Sequence, residues 1–111
     1  MDLQIELNTQ VELLQKSLEK LKETGKAYAD AERDYKIILR QEVLKLRDEG
    51  QAIGVITLIC YGIPEVAEAR RKRDIAEALY KANQEAINTY KLKIKIIVSQ
   101  IEREWANDSR G

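Results

Sequence analysis

Two long stretches of this 111-residue chain carry apolar residues at alternating steps of four and three. That spacing keeps the side chains on one face of a helix, and it is the pattern of a packed coiled-coil seam. In the first stretch the steps run through Leu7, Val11, Leu14, Leu18, Leu21, Gly25, Tyr28, Glu32, Tyr35, Leu39, Glu42 and Leu46. The stripe is strict from Leu7 to Leu21. After Gly25 it loosens, and Ala27, Ala31 and Ile38 suggest a second apolar face. In the second stretch the steps run through Ala76, Tyr80, Asn83, Ile87, Tyr90, Ile94, Ile97 and Ile101, and Trp105 continues them one turn later.

The breakers sit between these stretches. Gly50 follows the polar run Arg47, Asp48 and Glu49, where a helix C-terminal cap needs the left-handed conformation that glycine adopts without strain. Gly62 closes a short apolar segment, and Pro64 suits the first turn of a new helix, with Glu65 and Glu68 placed to complement its dipole. Three helices are therefore predicted: residues 2–48, a short apolar helix at 51–61, and residues 64–105, followed by a disordered tail at 107–111 whose composition is that of a turn. Val55 to Ile59 and Tyr90 to Val98 also fit strands by propensity and alternation, but the second lies inside a longer helical pattern with no breaker on either side.

The expected fold is all-α: a long antiparallel helical hairpin, residues 1–106, with a short apolar connecting helix. At about 1.5 Å per residue the two long helices measure roughly 60–70 Å each. A lone hairpin covers one stripe per helix, whereas this chain is apolar on wider faces. A second copy is expected to cover the rest, giving a dimeric four-helix bundle or a higher oligomer. Its seam is assigned to Leu14, Leu18, Leu21, Asn83, Ile87, Ile94, Ile97 and Ile101, with Asn83 as the polar residue that sets register, or alternatively exposed to solvent.

Composition excludes several chemistries. Nineteen Lys and Arg cancel nineteen Asp and Glu, and no histidine occurs, which removes Ser-His and Cys-His nucleophile pairs and the commonest zinc ligand. The single cysteine, Cys60, forms no internal disulfide and reads as inert packing in a reducing compartment. Met1 to Thr9 does not resemble a basic leader, and the longest apolar run, Ala52 to Tyr61, is too short to span a bilayer. No membrane association, cofactor or metal is expected, and the chain is not expected to be an enzyme. The carboxylate pairs Glu65/Glu68 and Asp74/Glu77 share one helix, so they cannot surround a magnesium ion as facing helices do.

The sharpest charged feature is Arg70-Arg71-Lys72-Arg73. Its ordinary reading is a solvated helical face. Its functional reading is an anion-binding rim of Arg70, Arg71 and Arg73, because guanidinium forks take phosphate bidentately, with Tyr61 near enough to stack on a base. Lys91, Lys93 and Lys95 form a second basic set, expected to line a bundle edge with their stems on apolar surface. Residues 1–50 hold 9 cations against 11 anions and residues 62–111 hold 10 against 8, so the halves differ in sign and nucleic acid is not the expected partner. A helix-turn-helix reading of residues 46–74 fits poorly, since Ala52 to Tyr61 is apolar throughout.

The segments from Gly25 to Gly50 and from Pro64 to Trp105 resemble small helical proteins encoded in phages and prophages of Gram-positive bacteria. The likeness covers most of the chain and departs at the very apolar ITLICYG stretch. It implies a cytoplasmic protein of the bacterial host that binds a host component and blocks it. The leading expectation is counter-defence by sequestering a small nucleotide immune signal between subunits. The alternatives are a protein–protein inhibitor of a host nuclease or CRISPR effector, and an accessory factor of phage replication or recombination.

Overall fold

The computed structural model describes the backbone of residues 2–110 and the side chains of residues 2–108. Helix α1 spans Leu3–Asp48, α2 spans Ile53–Ile59, a 3-10 turn spans Cys60–Gly62, and α3 spans Pro64–Arg110. The described residues contain no strand, so both segments with strand-like patterns are helical.

Each boundary has a local cause. The Asp2 carboxylate accepts the backbone N–H groups of Gln4 at 2.9 Å and Ile5 at 3.4 Å, which caps donors that the first turn leaves unpaired. At the other end of α1, Gly50 takes φ +83°. Its N–H donates to Arg47 O and that of Gln51 donates to Leu46 O, both at 3.0 Å, the paired bonds of a Schellman cap. Ile63 is extended, as a residue before proline must be, and α3 opens when Ala67 N–H donates to Ile63 O at 2.9 Å.

Two boundaries differ from expectation. The middle segment is a seven-residue helix followed by a 3-10 turn rather than one helix over 51–61. Helix α3 also passes the expected end near Ala106 and runs through Asn107 and Asp108 to Arg110. Those residues disfavour a helix only weakly, by less than about 0.7 kcal/mol each, and no glycine or proline intervenes. Gly111 lies outside the described residues.

The contacts gather in two compact units, one pairing α1 up to Glu23 with α3 from Lys81, the other comprising Thr24–Tyr80. In the second unit Tyr35, Val66 and Ala69 form a buried core against which Ile38, Leu39 and Ile63 pack. Ile56 and Cys60 are buried in the connection, so the thiol is packing. The rings of Tyr28 and Tyr80 are 6.0 Å apart. Tyr80 also lies on Gly25, where an added Cβ would sit 3.2 Å from its Cε1, which explains why the apolar stripe has a gap there.

In the first unit Ile87 and Ile97 are buried, with Leu14, Leu21, Ile94 and Ile101 half-buried. Asn83 Nδ2 donates to Ser17 O at 2.9 Å. Around this bond the face turned inward is not the strict apolar stripe. Gln10 and Ser17 are half-buried, while Val11 and Leu18 are exposed, Leu18 by 46%. At each level two adjacent residues compete for the inward face, and Ser17 takes it while Leu18 points outward.

Candidate functional site

The four consecutive cations fan around α3 at about 100° per residue and meet different partners. The Arg70 guanidinium lies 5.7 Å from the centroid of the exposed Tyr61 ring, so these two expected site residues do come together. Arg71 Nη1 instead pairs with Glu68 Oε1 at 3.2 Å. Arg73 turns inward. Its Nε and Nη2 donate to Asp74 Oδ1 at 3.0 and 2.8 Å, Nη1 lies 4.0 Å from Glu32, and the guanidinium stands 4.5 Å from the Tyr35 centroid. The Asp74 hydrogen bond raises its pKa further, against the opposing effect of burial. Two of the three arginines thus pair with carboxylates, and of the two that lie beside an aromatic ring Arg73 faces the buried Tyr35 while Arg70 faces the exposed Tyr61.

Lys72 takes a third direction and lines a groove of about 680 Å³ between the later part of α1 and the start of α3. Alanines 27, 31 and 69 make the groove, because side chains that end at Cβ leave space between two helices. Asp30, Asp34, Glu65 and Glu68 stand along its sides. The Asp30 carboxyl is held below the usual aspartate range, first by its hydrogen bond and charge interaction with Lys26 at 3.0 Å and then by Arg33. Sequence reasoning noticed Ala27 and Ala31 as a second apolar face but missed the groove. The signal was Asp30 and Asp34, one turn apart, flanking Ala31.

A smaller groove of about 390 Å³ lies beside α2, lined by Leu39, Val43, Ile53, Ile56 and Tyr61, with Arg47 its charged member. Above it the short helix is apolar and largely uncovered: Ile53 is 79% and Leu58 84% exposed.

The residues assigned to a seam between copies are mostly used inside one chain. Ile87 and Ile97 are buried, and Leu14, Leu21, Asn83, Ile94 and Ile101 are half-buried, all within the first unit, while Leu18 remains exposed.

Among the described residues no group of three or more Cys, Asp or Glu is placed to hold a metal ion, and no helix is long and apolar enough to cross a membrane. The fold defines an all-α protein of two long helices joined through a short one. No family model, curated protein or solved structure matches this chain.

Proposed function

We propose that this chain is a non-enzymatic binding protein that works as an assembly of its own copies and acts by occupying a protein surface. The observation that carries the reading is uncovered apolar area. Seven apolar side chains are buried among the described residues while sixteen large ones are exposed, which is the surface a neighbouring copy would cover.

The α2 corner supplies the contact with a target, since Ile53, Val55, Leu58 and Ile59 are exposed in a helix without one charged residue. If the resemblance to phage-encoded helical proteins holds, that target belongs to the host's defence, a nuclease or CRISPR effector being the type. Sequestration of a nucleotide is the second reading. It keeps one favourable observation, Arg70 beside Tyr61, and loses weight because Arg73 is turned inward onto Tyr35 and bonded to Asp74.

Native mass spectrometry at micromolar concentration with a panel of nucleotides separates the two. An oligomer that retains no nucleotide supports a protein-facing function. Retention that Arg70→Ala removes would replace it with the nucleotide reading.

A further inference from the structure

From Ala86 to Ile101 helix α3 has no acidic residue and carries Lys91, Lys93 and Lys95. Leu92 and Ile96, one turn apart among these lysines, are 58% and 49% exposed. At about 100° per residue, Leu92 stands opposite the stripe of Tyr90 and Ile94 that packs inside the chain. The result is a basic ridge with two apolar knobs and no cover. The alanine-lined groove in the Thr24–Tyr80 unit has the converse character, an apolar floor with Asp30, Asp34, Glu65 and Glu68 at its sides against the single Lys72.

We propose that the basic ridge of one copy seats in the acidic groove of a second copy, so that the groove is an interface between copies of this chain. This rests on the assembly reading above and names the surfaces that make it. Apolar side chains at i and i+4 are what a helix offers to a groove floored by alanines. The lysine stems lie along apolar surface while their ammonium groups reach the carboxylates. Asp30, Asp34 and Glu68 already hold exposed pairs with Lys26, Arg33 and Arg71, which are weak and exchangeable, whereas Glu65 joins none of the ion pairs found among the described residues. Complementary charge also selects this pairing over groove-to-groove contact, where like charges would meet.

Charge reversal tests it on the full chain. Sedimentation velocity at low salt is run on the groove variant Asp34→Lys/Glu65→Lys, on the ridge variant Lys93→Glu/Lys95→Glu, and on their equimolar mixture, with helicity checked by circular dichroism. The substituted positions in the ridge variant are exposed, so folding is preserved there. Each variant alone is expected to self-associate at least about tenfold more weakly than the wild type, and the mixture to recover association, because every reversed ridge then meets a reversed groove. A wild-type oligomer whose mass both variants retain overturns the ridge-in-groove contact and leaves assembly standing. A wild type that sediments as a single chain overturns both.

Discussion

The guanidinium of Arg73 rests 4.5 Å from the ring centroid of Tyr35, and this contact makes an arginine from a run of four cations part of the core. Tyr35 is buried, and the Arg73 side chain is only 20% exposed. Arg73→Ala is expected to lower unfolding free energy by about 1–2 kcal/mol through lost stacking, packing and pairing, and Arg70→Ala by less than about 0.5 kcal/mol. Urea denaturation at one fixed protein concentration measures both, since association makes stability concentration-dependent. Equal losses would mean that Arg73 is as peripheral as its neighbour.

Glycines 50 and 54 should respond in opposite directions. Neither would meet an obstacle within 4 Å if a Cβ were added, so only the backbone decides. Gly50→Ala forces a left-handed conformation on a side chain and should cost about 1 kcal/mol. Gly54 lies inside α2 with ordinary helical geometry, so Gly54→Ala should add about 0.5–1 kcal/mol. Thermal melts of the pair check this, and a stabilising Gly50→Ala would remove the Schellman cap from the account.

Each unit has its own small core. Val66 is fully buried against Tyr35 and Ala69, and Ile87 is 5% exposed in the other unit. Val66→Ala is expected to cost about 2 kcal/mol and Ile87→Ala about 3 kcal/mol. Amide hydrogen exchange should locate the first loss of protection in Thr24–Tyr80 and the second in the paired segments up to Glu23 and from Lys81. Uniform loss in both variants would show one cooperative body instead.

The Asp30 carboxyl should titrate below the ordinary aspartate value, and Lys26→Met should move it back up. Because its folded pKa lies under the unfolded one, the ion pair adds stability above the usual aspartate range and loses it as pH falls through the folded value. Both groups are exposed, so salt should shrink the effect. Side-chain carboxyl chemical shifts followed from pH 7 to 2 report it directly, and an unchanged midpoint in Lys26→Met would assign the shift to another group.

Fold and site were legible to different depths. Gly50 and Pro64 marked their helix ends because each residue type suits a conformation that few others adopt. The helical steps were equally plain, but which residues face inward was not: Val11 and Leu18 outrank Gln10 and Ser17 on hydrophobicity, yet Gln10 and Ser17 are the half-buried pair, an outcome of packing between distant segments. The arginine run shows the same limit. Composition places four cations together, while the helix turns one toward Tyr61, one toward Glu68 and one onto Tyr35. The acidic groove depends on alanines, whose effect is the absence of side chain, and a search for chemistry-bearing residues passes over them.

Light scattering of the wild-type protein during gel filtration, at micromolar concentration and low salt, tests self-association most directly. The account predicts at least twice the 12.8 kDa chain mass, falling as salt is raised. A well-folded particle of 12.8 kDa at every salt concentration would contradict it.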